Sequence, residues 1–159
     1  MQRRYLLALA AILPFAVMAQ APEPTKPQPE LPKEKLVIVT HDGKQHVFNV
    51  EMALTEDQQT TGEMFRPKVA EDGGMLFDWG VVRESQMWME NTLVPLDMVF
   101  INADGSIRSI AEDTTPRSLA VIDSRGPVRA TLELAAGVTA KLDIRVGDTV
   151  KQRIFGNAP

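Results

Sequence analysis

Two Asp-Gly pairs, Asp42-Gly43 and Asp104-Gly105, each stand between two apolar runs, and this pattern limits the fold more than any other feature of the chain. Asp-Gly favours the positive φ angles of a tight hairpin turn, so each pair folds its flanking runs back as antiparallel neighbours. After the first turn, Phe48, Val50, Met52 and Leu54 alternate with Asn49, Glu51 and Ala53, giving a strand with one buried face. Before the second, Met98 to Ile101 is apolar on both faces, as a central strand should be. "PVRATLELAAG" alternates again, with Val128, Ala130, Leu132 and Leu134 facing in and Arg129, Thr131 and Glu133 pointing away. Helix signals are few. "TEDQ" (55–58) is a capping box that predicts a short helix from Glu56 to about Met64, weakened at Gly62. "AAGVTAK" predicts one further helical turn, and residues 66–80 read as a loop holding the short apolar piece Met75-Leu76-Phe77. The chain is expected to be mainly β: a compact antiparallel β-barrel or curled sheet with one or two short helices plugging it.

The first residues address the chain. Arg3 and Arg4 precede an apolar stretch from Tyr5 to Val17, and Ala19-Gln20-Ala21 offers a small-residue cleavage site, so residues 1–21 read as a signal peptide. Pro14 interrupts the stretch, which falls short of the roughly 20 apolar residues that span a bilayer. A periplasmic or secreted protein is expected, with no integral membrane span after cleavage. Residues 22–35, with five prolines among polar and charged residues, read as a linker with no capacity to bury apolar surface. Residues 36–159 have the length of one domain. That domain has no cysteine, so packing rather than disulfides must hold it in an oxidising compartment. The formal charge is −4, and loss of Arg3 and Arg4 takes it two units further negative, which argues against nucleic acid as a partner.

Most catalytic chemistries lack their parts. Ser85, Ser106, Ser109, Ser118 and Ser124 have no nucleophile-elbow context, and His41 and His46 both flank one turn. Gly73-Gly74 lacks the lysine of a phosphate loop. No zinc or calcium spacing occurs, and the soft-metal set Met52, Met64, Met75, Met87, Met89 and Met98 includes an inward strand position and no cysteine. Neither a metal nor a cofactor is expected. Asp97 and Glu133 remain as a candidate carboxylate pair for a small envelope hydrolase, with Arg66 able to pair with either.

Four segments together resemble the family known as domain of unknown function 192: Gly62 to Arg66, "GGMLFDW" (73–79), "MWMENTLVPLDMVFI" (87–101) and "ELAAGVTAKLDIRVGDTV" (133–150). The resemblance covers nearly all of residues 36–155 and implies a fold type and an envelope-associated habit, without an established reaction. One departure stands out: the family has Leu-Gly-Ile where this chain has Leu142-Asp143-Ile144. The closing "IRVGDTV" also resembles the Gly-Asp turn of swapped-hairpin and double-psi barrels, in which Gly147 takes positive φ and Asp148 accepts from nearby amides.

The string "QMWMENTLVPLDMVF" (86–100) supplies the candidate site. Met87-Trp88-Met89 is either an apolar pocket lip with Trp88 as a stacking platform, or ordinary core; in a strand the two methionines would share one face. Asn91, Thr92 and Asp97 either converge on a ligand or brace the turn at Pro95. The expected function is an extracytoplasmic binding or accessory domain, its ligand a small molecule, glycan or envelope protein. Arg66, Met87, Trp88, Met89, Asn91, Thr92, Asp97 and Glu133 are its ligand-binding candidates. A purely structural interaction module without a pocket is the remaining alternative.

Overall fold

The structure, a computed structural model, describes residues 23–158; the expected leader and its cleavage positions lie outside them. Seven strands form one sheet: β1 (Lys33–Val39), β2 (Gln45–Ala53), β3 (Met75–Met87), β4 (Leu96–Ile101), β5 (Ile107–Ala111), β6 (Ile122–Ala135) and β7 (Thr149–Lys151). Their spatial order is β5-β4-β6-β3-β2-β1-β7. The two edges meet, since Ser106 bridges Thr149. The amides of Ile107 and Val150 donate to the carbonyls of Asp148 (2.8 Å) and Gly105 (2.7 Å) across the same seam. The sheet is a nearly closed barrel, which gives edge backbone groups the partners an open sheet would leave to solvent. Two short helices complete it, α1 (Glu56–Thr61) and α2 (Val138–Lys141). Among the described residues no helix is long and apolar enough to cross a membrane.

Both Asp-Gly turns form hairpins, with Gly43 at φ 81° and Gly105 at φ 86°. The capping box forms as written: Thr55 Oγ1 accepts from the Gln58 amide, and Gln58 Oε1 accepts from the Thr55 amide. The helix stops at Thr61, short of Met64, because Gly62 turns to positive φ. Gly147 at φ 94° and Asp148, which accepts from the amides of His41 (2.8 Å) and Arg145 (2.7 Å), make the closing turn.

The sheet departs from the expected pattern in four places. β2 and β3 pair in parallel, with Glu51, Met52 and Ala53 opposite Met75, Leu76 and Phe77. A parallel pair needs a crossover that returns the chain to the same end, and residues 54–74, including α1, provide it. β3 is a long strand running through the segment read as a loop, with a bulge between Asp78 and Arg83 that pushes Val81 and Val82 into solvent. Leu54 lies beyond the end of β2 and is exposed. β1 begins at Lys33, inside the expected linker. The prolines ahead of it lie along the domain: Gln28 Nε2 donates to the carbonyls of Gln58 and Gly62 (both 3.0 Å), and the Met52 amide donates to the Pro32 carbonyl.

The barrel interior is filled by Leu36, Ile38, Phe48, Val50, Met52, Leu76, Val99, Ile101, Ala130, Leu132 and Leu134 among others, the alternating faces expected of these strands. The outer face of β3, β4 and β6 is also covered. Met89, Leu96, Met98, Phe100 and Val128 form a second cluster there, and Ala53, Met75 and Phe77 a third. Val128 therefore leaves the interior set in which its alternation placed it, next to the β3 bulge. The crossover and the segments after β3 form this outer layer. Of the candidate side chains, Asp97 faces the barrel interior and the others lie in or under this layer.

Candidate functional site: a cleft beneath the crossover

Strand register builds the floor. Glu51 of β2, Met75 of β3, Glu133 of β6 and Met98 of β4 lie in one row across the sheet, and Ala53, Phe77, Thr131 and Phe100 in the next. With strands about 4.8 Å apart, Glu51 and Glu133 stand two strand spacings from each other with Met75 between. The crossover must close tightly over this row. Gly74 permits it: its φ is 138°, and a Cβ there would lie 2.3 Å from the Glu133 carbonyl oxygen. No other residue fits so close to that backbone.

The crossover brings Glu63 and Arg66 over the row. Arg66 forks onto Glu51, Nη1 donating to Oε1 at 2.5 Å and Nη2 to Oε2 at 2.9 Å, while the Leu31 amide also donates to Glu51 Oε2 at 2.7 Å. Arg66 Nη1 also lies 3.2 Å from Glu63 Oε2, an ion-pair approach whose angle makes no hydrogen bond. Glu133 is 4% exposed, and its Oε2 is buried without a hydrogen-bond partner. The single guanidinium is thus spent on Glu51 and Glu63.

The three carboxyls titrate differently as a result. Burial pushes Glu51 up, but the Arg66 fork and the Leu31 amide outweigh it, and the net position is below the usual carboxylate range. Burial pushes Glu63 up to about 7, opposed by Arg66 and reinforced by Glu51. Burial, and then the neighbouring Glu63, drives Glu133 well above the carboxylate range, with Arg66 acting weakly against them.

Two cavities flank this cluster. One, of about 450 Å³, is walled by Phe77, Trp79, Arg83, Met87, Trp88 and Thr92, with Glu63 and Glu133 along its lining. The other, of about 330 Å³, lies between the proline segment and the crossover, and there Glu51, Glu63 and Arg66 meet Lys33 and Lys68. Glu63 lines both. In the larger cavity Trp79 stacks at a tilt on Phe77 (centroids 5.7 Å apart), and its ring carries the Arg83 guanidinium at 4.2 Å. Trp88, 51% exposed, keeps a free face.

The sequence candidates divide accordingly. Met87, Trp88, Thr92 and Glu133 line the larger cavity, and Arg66 stands behind it in the smaller one. Met89 is core: it is fully buried and its Sδ accepts from Thr114 Oγ1 at 3.1 Å. Met87 and Met89 pack in the same outer cluster while Trp88 is exposed, although β3 itself ends at Met87. Asn91 holds a left-handed turn (φ 54°), and its carbonyl accepts from the Phe65 amide. Asp97 is fully buried at the other face of β4, accepting from the Asp113 amide and from the amide and hydroxyl of Thr139. The expected pairing of Arg66 with Asp97 or Glu133 is replaced by its pairing with Glu51 and Glu63.

A family model described as "Uncharacterized ACR", domain of unknown function 192, matches residues 37–152. The chain belongs to this family. A solved structure from Sinorhizobium meliloti 1021, provisionally described as a transcription regulator, is 43% identical with a TM-score of 0.77, covering 80% of this chain and 98% of that one. Another, a protein of unknown function from Novosphingobium aromaticivorans DSM 12444, is 32% identical with a TM-score of 0.75, covering 89% and 100%. No curated protein matches the chain. For this family member the sequence reading missed Glu51, Glu63, Trp79 and Arg83. Glu63 sits within the Gly62 to Arg66 segment that carries the resemblance, and Trp79 closes the "GGMLFDW" segment, so the signal was present. Glu51 gave none, since an outward glutamate on a strand ordinarily meets water.

Proposed function

We propose that this domain binds a small ligand in the cleft beneath the crossover and works outside the cytoplasm. The observation that carries the first part is the meeting, in one cavity, of an exposed tryptophan face and a buried carboxyl oxygen without a partner. Cavities of a few hundred cubic ångströms with apolar walls and a few polar groups are the usual form of small-molecule sites. An exposed aromatic face contributes most when a ligand covers it. The interaction-module alternative expected no such cavity. Extracytoplasmic placement rests on the Arg3-Arg4 leader pattern and its Ala19-Gln20-Ala21 ending. Intact mass of the exported protein tests it: a chain beginning near Gln20 or Pro22 supports the reading, and one retaining Met1 overturns it.

Binding is tested by two-dimensional NMR of the purified domain against a library of neutral, cationic and saccharide fragments. Ligands of the cleft shift the Trp88 indole N–H and lose affinity in Trp88→Ala. Hits that leave Trp88 unmoved, or no hits at all, would overturn the reading.

The hydrolase alternative survives only in altered form. Asp97 faces away from the cavity, so an acid–base pair would have to be Glu63 and Glu133, and Glu63 near 7 suits a general acid. Turnover of chromogenic glycosides lost in Glu63→Gln would favour it over simple binding.

A further inference from the structure

We propose that the ligand of this cleft carries an ammonium group, seated between Glu63 and Glu133 with its apolar body against Trp88. The inference rests on the binding reading above and narrows it to a chemical class. The charge along the cavity comes first. Among the described residues its lining holds three acids, Glu56, Glu63 and Glu133, and one base, Arg83, so a cation that draws the acids into their ionised forms is favoured over an anion.

The second observation is the orphaned oxygen. Among the described residues no hydrogen-bond donor reaches the buried Glu133 Oε2. Its register neighbours are Met75 on β3 and Met98 on β4, which donate nothing from their side chains. From the crossover it meets Glu63, a second acid, and Arg66, whose two Nη atoms donate to Glu51. Turning Arg66 toward Glu133 would strip Glu51 of its fork. A ligand entering the cavity can supply the donor that the described residues do not. A hydroxyl could supply one donor, but only a cation supplies donors together with the charge that lets two neighbouring carboxyls ionise.

The third observation concerns the walls. The Trp79 face already holds a guanidinium at 4.2 Å, so this cavity provides an aromatic surface that receives a cation. Trp88 offers a second ring, open to solvent. Aromatic faces combined with carboxylates are the chemistry that recognises alkyl or aralkyl ammonium groups. Because ionised carboxyls are needed, affinity should rise as the pH passes about 7, where Glu63 loses its proton.

The test uses three probes of one shape: phenethylamine, phenethyl alcohol and phenylacetate, titrated into the domain while the Trp88 indole N–H is followed by NMR. At pH 8 the amine should bind about tenfold more tightly than the alcohol, and phenylacetate more weakly than either. The amine's advantage should shrink at pH 5.5 in the wild-type protein, and should disappear in Glu133→Gln and in Glu63→Gln, each checked for a native melting curve. If the alcohol binds as well as the amine at pH 8, or if Glu133→Gln keeps the preference, the ammonium inference fails while the binding reading stands. If no probe, charged or neutral, moves Trp88, both fail.

Discussion

Asp97 and Glu133 lie one register step apart on adjacent strands yet face opposite sides of the sheet. Asp97 stands opposite Leu134, an interior position, while Glu133 stands opposite Met98 in the outer layer. The two carboxylates therefore cannot flank one bond, whatever their separation along the chain. Each is buried for a different reason: Asp97 ties α2 and the turn at Asp113 to β4, and Glu133 forms the floor of a cleft.

That division predicts opposite responses to the same isosteric change. Asp97→Asn keeps one acceptor and turns an amide donor toward the amide and hydroxyl of Thr139 or the amide of Asp113. It should lower stability by about 1–3 kcal/mol in urea titration, with Thr139→Val falling in the same range. A variant as stable as wild type would show that the three hydrogen bonds are not held in solution.

Glu133→Gln should stabilise the domain at neutral pH. The wild-type carboxyl has its folded pKa raised by burial, so its contribution is full below the ordinary value of 4.5 and is lost as the pH rises through the folded value. Glu63, raised to about 7, behaves alike, and its loss reaches at most about 3 kcal/mol above that pH. Glutamine mimics the protonated acid at every pH. The melting-temperature difference between Glu133→Gln and wild type should be positive at pH 8 and vanish near pH 4. A difference that is constant with pH would place the carboxyl in contact with water.

The barrel could be read from the sequence because hairpin turns and alternation are local signals. Asp42-Gly43 and the Thr55–Gln58 capping box act within four residues, and the chain obeys them. The parallel β2–β3 pair could not be read, because nothing local distinguishes a crossover from a loop. That one topological fact buries outward-facing Glu51, Thr131 and Glu133 under a second layer. Met87, Trp88 and Glu133, which line the larger cavity, were legible because residue type alone marked them. Glu51 and Glu63 matter through what the crossover places beside them, which spacing does not encode.

Trp88 and Met89 are chain neighbours with different duties. Met89→Ala removes a fully buried side chain and the acceptor of Thr114 Oγ1, and should cost about 2–5 kcal/mol. Trp88→Ala, at a half-exposed position, should change stability by about 0.5 kcal/mol or less, while removing any fragment binding in the cleft. Chemical denaturation of both variants checks the pair. A large loss in Trp88→Ala would make the ring a structural cover for Phe77 and Met87 instead of a ligand platform.

Asp143 occupies the place where the family resemblance implies glycine, and its φ is 56°, in the left-handed region. An aspartate there is strained relative to glycine, although it tolerates the conformation better than most residues. Its side chain offsets little. It reaches Arg145 Nε at 2.7 Å and His41 Nε2 at 3.8 Å, both partners exposed, and surface pairs of this kind contribute only a fraction of a kcal/mol. The backbone bond from its amide to the Ala140 carbonyl would survive substitution. Glycine would relieve the strain but gain freedom in the unfolded chain, which reduces the benefit. Asp143→Gly should therefore stabilise the domain by about 0.5–1 kcal/mol, raising the melting temperature by roughly 2–5 °C. The effect should persist in 1 M salt, because relief of backbone strain is not screened whereas loss of an ion pair would be. A lower melting temperature at low salt that recovers at high salt would show that the Asp143–Arg145 pair, rather than the backbone angle, decides the residue at this turn.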